Sequence, residues 1–251
     1  MQFVAEITLS CPARCRHCPL SGEKRRAVIP LPVYDEFLDA VTEVDEEPVL
    51  VLSGGEPSAL GPALRSYVDR AKSRGIPVTV VTNAFDPRAV IESNPDLVEV
   101  SLDYVGGLHD AFRGLPLWER AVKLIESLPG KTLIRATLYQ DNADHILELK
   151  RLFPDTPILV MPARGTGSPT PRKLLRKLRE AGIFVADNCP AGRQQIVATP
   201  NGGRVAFLPC IFYREVLAEA EPGNLKRALL QAIERGKRVP RYPCEKGEKR
   251  G

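Results

Sequence analysis

The amino-acid sequence predicts an α/β protein built on a parallel sheet, with a small α+β module at its C-terminal end. Short apolar runs alternate with amphipathic helical patterns along most of the 251 residues, and polar residues gather directly after each apolar run. This alternation is typical of right-handed βα units, whose functional sites lie at the carboxyl edge of the sheet. Six units are predicted, fewer than a closed barrel needs. The expected fold is therefore a partial (β/α)6 TIM-like barrel with a lateral opening for a large substrate.

The elements of this barrel follow one another along the chain. Residues 49–52 form a continuous apolar run, which is typical of a strand buried on both faces of a parallel sheet. Pro32 and Pro171 each begin a helical pattern, where proline is tolerated because the first-turn N–H is unpaired in any case. The predicted strands are 3–9, 48–53, 77–81, 97–102, 132–139 and 157–160, and the predicted helices are 32–44, 59–74, 116–128, 143–153 and 171–181.

A change of pattern after Gly182 predicts a second domain, with the barrel at 1–185 and the module at 186–251. Two β-rich runs, 195–198 and 204–208, are joined by turn-forming residues and predict a hairpin, and a helix is expected to end near Arg235. A unit of this size has little core, so a metal would help to hold it together.

Composition limits the cellular setting and the partners. The chain has no apolar run of membrane-spanning length and enters its first strand without a basic, apolar leader, so we expect a cytoplasmic protein that does not bind a membrane. The net charge of +4 includes basic stretches within 164–179 and 237–250. A solvated helix face and tail explain them best, although nucleic acid is not excluded as a partner.

The strongest motif is a group of three cysteines in a short loop after the first strand. Cys11, Cys15 and Cys18 are spaced C-x3-C-x2-C, and three thiolates can hold a 4Fe-4S cluster while leaving one iron without a protein ligand. A structural zinc site usually has four ligands, and His17 between two of the cysteines cannot easily be the fourth. Disulfides are disfavoured because loop thiols this close cannot pair without strain.

With this motif the chain resembles the radical S-adenosylmethionine (SAM) enzymes. The resemblance implies that the free iron chelates the amino and carboxylate groups of SAM, and that reductive cleavage gives methionine and a 5'-deoxyadenosyl radical. It also implies an electron donor similar to flavodoxin or ferredoxin, and it places His17 near the adenine. The protein part would supply binding and orientation for chemistry that the cofactors carry.

A second motif follows the second predicted strand. The residues Gly54, Gly55, Glu56 and Pro57 could form only a tight turn, but glycines also let a backbone approach a ligand closely. Carbonyl groups and a carboxylate there can accept hydrogen bonds from an ammonium. The motif resembles the GGEP motif of the radical SAM family, which implies that it holds the amino group of SAM.

Three further strand ends resemble SAM contacts of the family. Thr82 and Asn83 fit a turn cap and a ligand contact about equally well. On the fourth strand Ser101 and Asp103 share a polar face with Glu99, and residues 100–114 resemble the S-L-D, H-D and R-G stretch of peptide-modifying members. An inward Arg135 needs an anion, for which the carboxylate of SAM is the candidate and a structural salt bridge the alternative.

The C-terminal module contains three more cysteines, Cys189, Cys210 and Cys244. Their arrangement around a hairpin and a helix resembles the SPASM and Twitch extensions, which implies a second iron-sulfur cluster. The full SPASM pattern has more cysteines, so one cluster is the most that this set supports. Its fourth ligand is absent, or is Asp187 or the substrate. Zinc or three buried thiols are the alternatives.

These motifs lead to three hypotheses on function. The first is hydrogen abstraction from a peptide or protein substrate, although the first strand begins so close to Met1 that we expect no N-terminal peptide-recognition domain. The second is the same chemistry on a small molecule or nucleotide, which basic patches would attract. The third is a non-catalytic iron-sulfur or zinc protein.

Overall fold

A continuous ten-stranded sheet organises the protein in the computed structural model, which describes residues 1–15, 18–20, 26–163, 171–186 and 188–242. The strand order is β10-β9-β8-β1-β2-β3-β4-β5-β6-β7. The strands are β1 (Gln2–Thr8), β2 (Val49–Gly54), β3 (Val78–Thr82), β4 (Leu97–Ser101), β5 (Thr132–Leu138), β6 (Ile158–Pro162), β7 (Phe184–Val185), β8 (Gln195–Asn201), β9 (Arg204–Leu208) and β10 (Ala218–Ala220).

Helices connect these strands and cover one face of the sheet. They are α1 (Leu31–Val44), α2 (Ala63–Lys72), α3 (Pro87–Ser93), α4 (Gly107–Arg113), α5 (Trp118–Ser127), α6 (Ala143–Leu152), α7 (Arg172–Glu180) and α8 (Leu225–Gly236), with a short 3-10 helix at Pro57–Leu60. In the described part of the chain, no helix is long and apolar enough to cross a bilayer.

Strands β1 to β7 lie in sequence order and are parallel, which confirms the predicted α/β fold with a partial barrel. The structure adds a seventh strand, β7, which pairs with β6. It also adds the short helix α3 between β3 and β4, and the short helix α4 between β4 and α5. The predicted helix at 59–74 divides into the 3-10 helix and α2.

The sheet has a different core on each face. Phe3, Ala5 and Ile7 of β1 belong to the large cluster beneath the helices. Val4 belongs to a small cluster on the opposite, inner face. Because successive strand residues point to opposite faces, Glu6 shares the inner face with Val4. The inner face therefore turns from apolar to polar towards the carboxyl end of β1.

The C-terminal hairpin extends the barrel sheet. Strand β8 pairs in parallel with β1, with Phe3 opposite Ile196, and β9 pairs with β8 in antiparallel fashion. Helix α8 is tied to α1 because Glu36 accepts hydrogen bonds from the backbone N–H groups of Gly223 and Leu225. The sheet thus runs through the predicted boundary at 185, and the division into two domains stays a prediction.

Candidate active site

The loop that follows β1 brings Cys11, Cys15 and Cys18 to the carboxyl edge of the sheet, where all three are half-buried. Burial first, then the Glu56 carboxylate and the other two thiols, raise the pKa of the Cys11 thiol to about 11. The Cys11 thiolate therefore needs a positive centre beside it, and three cysteines in one loop fit an iron-sulfur cluster with one iron per cysteine. Across the described residues, no three His, Cys, Asp or Glu side chains are placed to hold a single metal ion. His17 lies outside the described residues.

Helix α4 supports this loop from one side. The N–H of Arg14 donates to the carbonyl of Arg113 over 2.8 Å. A Cβ added to Gly114 would lie 3.2 Å from the Cβ of Arg14, so the two segments are closely packed. The Arg113 guanidinium donates to Cys15 Sγ over 3.7 Å. Sequence reasoning missed this contact, since Arg113 entered only as part of a family-like stretch.

The two glycines at the end of β2 support the loop from the other side. A Cβ on Gly54 would lie 2.1 Å from the carbonyl oxygen of Thr8, and one on Gly55 would lie 2.3 Å from that of Ser10. The N–H of Gly55 donates to Thr8 O over 2.7 Å, and that of Glu56 to Ser10 O over 2.9 Å. The glycines were expected to let the backbone approach a ligand. In the structure, the close approach is to the strand that leads into Cys11.

Glu56 is almost completely buried and already has donors for both carboxylate oxygens. Oε1 accepts from Thr82 Oγ1 over 2.6 Å and from the N–H of Ser58 over 3.0 Å, and Oε2 accepts from the N–H of Asn83 over 2.7 Å. Burial raises the pKa of this carboxyl, and these hydrogen bonds oppose the rise. The contact of Glu56 with the amino group of SAM stays a prediction, and within the protein its carboxylate joins the end of β2 to the end of β3. Pro57 begins the 3-10 helix.

Thr82 and Asn83 take different roles. Thr82 Oγ1 also accepts from the N–H of Ala84 over 2.9 Å, which is the turn interpretation. Asn83 is 5% exposed, and its Nδ2 donates to Cys11 Sγ over 3.7 Å. Its Oδ1 is buried and meets no hydrogen-bond donor among the described residues. A buried acceptor without a donor costs about 1–3 kcal/mol, so Asn83 fits the ligand interpretation.

Asp103, predicted to contact SAM, is engaged within the protein. It is fully buried, Oδ1 accepts from the N–H of Thr137 over 2.8 Å, and Oδ2 pairs with Arg113. The contact of Asp103 with SAM stays a prediction, and α4, which was not expected, supplies a cation to this carboxylate. Ser101 is half-buried and lies opposite Arg135 in the register of β4 and β5.

Arg135 was predicted to hold the carboxylate of SAM, and that role stays a prediction. Its guanidinium donates to Glu99 Oε2 over 2.8 Å and to Met161 Sδ over 3.1 Å. The structural salt bridge, the alternative at the sequence level, is therefore present. Arg135 also lines a cleft with Cys189 and Cys210, so the structure associates it with the C-terminal cysteines.

This cleft encloses about 460 Å³, including the part open to solvent. The N–H of Tyr242 donates to Cys189 Sγ over 3.4 Å, and that of Phe212 to Cys210 Sγ over 3.4 Å. Cys189 and Cys210 both line this cleft. Burial raises the pKa of the Cys210 thiol, and Cys189 raises it further. Cys244 and Asp187 lie outside the described residues. The lining is formed by Arg135, Met161, Asn188, Cys189, Pro190, Ala191, Gln195, Cys210, Ile211, Phe212 and Tyr213.

A contact between two glycines holds the cleft together. A Cβ on Gly192 would lie 2.5 Å from the carbonyl oxygen of Gly236, and one on Gly236 would lie 2.3 Å from that of Gly192. Because Gly236 ends α8, the contact directs the following chain towards Cys189, where Tyr242 donates its hydrogen bond.

Comparison with known families identifies the class of protein. The family model described as the radical SAM superfamily matches residues 5–153, which is more than half of the chain. The protein belongs to the radical SAM superfamily, a family of enzymes, and membership implies a 4Fe-4S cluster and SAM as cofactors.

Individual relatives are more distant. The chain is 28% identical over 165 residues to the pre-heme d1 synthase of Dinoroseobacter shibae, matching 59% of this chain and 39% of that protein. Streptococcus suis SuiB bound to precursor peptide SuiA superposes with a TM-score of 0.71 at 17% identity, covering 84% of this chain and 59% of SuiB. anSMEcpe with bound AdoMet and Cp18Cys peptide gives 0.68 at 16% identity, covering 94% and 81%. At these identities the two structures show a shared fold. The matches span only part of the pre-heme d1 synthase and of SuiB.

Proposed function

We propose that this protein cleaves SAM reductively at a 4Fe-4S cluster bound by Cys11, Cys15 and Cys18. The observation that carries the proposal is the buried Asn83 side chain, which donates to Cys11 with one end and leaves an acceptor without a described donor at the other. When bound, the cluster would supply the electron that splits SAM into methionine and a 5'-deoxyadenosyl radical.

The chain's own residues would hold SAM in place. The Asn83 Oδ1 acceptor suits the ammonium group of the methionine part, since a hydrogen bond to a charged group contributes more than a neutral one. The Glu56 carboxylate accepts a hydrogen bond from the backbone N–H of Asn83 and so fixes its position. Glu56 therefore acts on SAM by positioning Asn83. Gly54 and Gly55 fix the start of the cysteine loop against the same strand ends.

The experiment is anaerobic incubation of reconstituted protein with SAM and dithionite, followed by detection of 5'-deoxyadenosine. Wild-type protein should form it, and Cys15→Ala should reduce it to background because no neighbouring thiol replaces the lost ligand. Cys210→Ala is the matched control and should retain formation in the absence of substrate. Equal formation by wild type and Cys15→Ala would reject the proposal.

A second iron-sulfur cluster, bound by Cys189, Cys210 and Cys244 in a SPASM or Twitch-like module, is part of the proposal. Two features support it: the placement of Cys189 and Cys210 in the lining of one cleft, and the backbone N–H groups that donate to each sulfur. Hydrogen bonds to sulfur are among the features that set the properties of such clusters. Tyr242, whose N–H donates to Cys189, precedes Cys244 by two residues in the sequence.

For the substrate we propose a peptide or protein from which the radical abstracts hydrogen. Support comes from the fold shared with SuiB and anSMEcpe, each of which was solved with a peptide. A small molecule is the second candidate, because the sequence relative is a pre-heme d1 synthase and Arg135 places a cation in the cleft. The flavodoxin- or ferredoxin-like donor and the cytoplasmic location remain predictions.

The two substrate classes can be separated with an extract of the host cells. Formation of 5'-deoxyadenosine above the rate without substrate would report that the extract contains the substrate. Treating the extract with protease, and then removing the protease, should abolish the stimulation if the substrate is a peptide. Stimulation that survives the protease would indicate a small molecule.

A further inference from the structure

A chain of three side chains connects a buried carboxylate to a cysteine of the candidate SAM cluster. Asp103 pairs with Nη2 of Arg113, and Nη1 of the same guanidinium donates to Cys15 Sγ over 3.7 Å. Arg113 is 7% exposed and Asp103 is fully buried. The cation therefore lies against the sulfur in a setting from which water is largely excluded.

The pair has a fixed orientation. Asp103 is held from behind by the N–H of Thr137, and its carbonyl oxygen accepts from Asn142 Nδ2 over 2.9 Å. The carbonyl of Arg113 accepts from Arg14 in the cysteine loop. Helix α4, strand β5 and the cysteine loop thus hold the Arg113 guanidinium between the Asp103 carboxylate and the Cys15 sulfur. The positive group is therefore nearer to Cys15 than the negative group is.

This order of charges has a consequence for electron transfer. One-electron reduction adds a negative charge to a cluster and changes no covalent bond in the protein. A cation donating to a ligating sulfur stabilises the reduced form, and hydrogen bonds to the sulfurs and net charge are known determinants of cluster potential. Low local dielectric strengthens the effect of a buried charge.

We propose that Arg113 raises the reduction potential of the cluster bound at Cys15, and that Asp103 limits this rise by partly neutralising the guanidinium. The inference rests on the proposed cluster at Cys11, Cys15 and Cys18. Arg113 is a positioning and tuning residue, since it acts on the cluster through a ligand. Its partner Asp103 acts through Arg113 in turn.

The test uses substitutions that move the potential in opposite directions. The potential is measured by redox titration with electron paramagnetic resonance, in a Cys189→Ala, Cys210→Ala, Cys244→Ala background so that one cluster contributes. Arg113→Gln should make reduction harder, by at least about tenfold in the equilibrium constant, which is about 59 mV for one electron. Asp103→Asn should make reduction easier, because the cation remains without its counter-charge.

Two further variants complete the design. The double variant Arg113→Gln, Asp103→Asn removes both charges and should return close to the starting potential, and Arg113→Lys should restore most of the effect of the cation. Arg88→Gln is the control, because Arg88 is exposed on α3 and bonds Glu92. It should leave the potential unchanged.

If Arg113 and Asp103 had a purely structural role, the two single variants would lose stability without opposite shifts in reduction potential. Thermal unfolding of the protein without iron should show both single variants destabilised, since each leaves a buried charge unpaired. Potentials that move in the same direction in both, or that do not move, would overturn the inference. If the Cys189→Ala, Cys210→Ala, Cys244→Ala protein binds no cluster while Arg113 and Asp103 are unchanged, that result would instead count against the proposed function. If Arg113→Gln does not fold, the upward shift in Asp103→Asn still decides.

Discussion

The two groups of cysteines are built in different ways. Cys11, Cys15 and Cys18 lie within one loop, and that loop is fixed by backbone hydrogen bonds to the end of β2 and to α4. Cys189 and Cys210 come from separate segments, which meet because the β8–β9 hairpin returns the chain to Gly192, whose N–H donates to the carbonyl of Pro209 over 3.0 Å. The first site is encoded locally and the second by tertiary structure. A sequence pattern can therefore identify the first site more directly than the second.

The charges around the two groups differ as well. Buried carboxylates and a buried guanidinium surround the first group, with Glu56, Asp103 and Arg113 all nearly inaccessible. The second group lies in a mostly apolar cleft in which Arg135 contributes charge and is itself paired with Glu99. Substitutions at the two sites should therefore have separable effects.

The largest effect should be on iron content. Reconstituted wild-type protein should contain about eight irons, and the Cys189→Ala, Cys210→Ala, Cys244→Ala variant about four, as two cubanes or one would require. Replacing Cys11, Cys15 and Cys18 together should also leave about four. Iron and zinc are measured by elemental analysis. Zinc in place of iron, or the same iron content in all three proteins, would contradict the picture of two cluster sites.

The next effect concerns the glycines that shape each site. Gly55→Ala and Gly192→Ala would each place a methyl group against a backbone carbonyl, and such overpacking destabilises by about 1–3 kcal/mol. Gly55→Ala should lower the iron content of the first site, which is measured from the spectrum of protein that lacks the three C-terminal cysteines. Gly192→Ala should lower the iron content of the second site, measured in protein that lacks Cys11, Cys15 and Cys18.

Two glycines serve as controls for that pair. Gly107→Ala meets open space and should be neutral. Gly202 has a φ of 57° but no neighbour near its added Cβ, so Gly202→Ala measures backbone strain alone for comparison with Gly192. A loss of iron at both sites from either Gly55→Ala or Gly192→Ala would show that the sites are not independent.

A smaller effect is expected for Glu56→Gln. The amide can no longer accept from Thr82, Ser58 and Asn83 together, because its NH2 group would face an N–H donor. Unfolding free energy should fall by about 1–3 kcal/mol, and SAM should bind more weakly through displacement of Asn83. Calorimetry gives both quantities. Glu99→Gln, the counterpart at the second cleft, should leave the SAM dissociation constant unaltered.

The smallest effect on SAM binding is expected for Arg135→Gln. Because Arg135 is engaged by Glu99 and Met161 at the second cleft, the SAM dissociation constant should change by less than about twofold. If Arg135 held the carboxylate of SAM, loss of that contact would weaken binding by about tenfold or more. Isothermal titration of the anaerobic protein distinguishes these outcomes.

The fold was predictable from sequence where elements were long. Strands such as β2 and β5 have apolar runs that leave little choice, and the placement of the cysteines after β1 at the carboxyl edge was confirmed. The two-residue strand β7, the three-residue strand β10 and the short helix α3 were missed, because so few residues carry no readable periodicity.

The partners of buried polar groups were less predictable. The sequence placed Glu56 and Asp103 just after strands and Arg135 within the fifth strand, and the structure has all three there. It could not tell that each would meet a group of the protein itself, since those partners lie 26 to 36 residues away or on an unpredicted helix. The contact of Arg113 with Cys15 was not predicted, because only the fold brings α4 onto the cysteine loop.

The pairing of β8 with β1 affects how the chain folds during synthesis. Gln2 pairs with Gln195, so one edge of β1 has no partner until most of the chain has been made. Contacts between segments so far apart in sequence slow folding, and an open strand edge can associate with other chains. The supports of the cysteine loop, in contrast, end at Gly114. We therefore expect the first cysteine group to be shaped on the ribosome well before the sheet is complete.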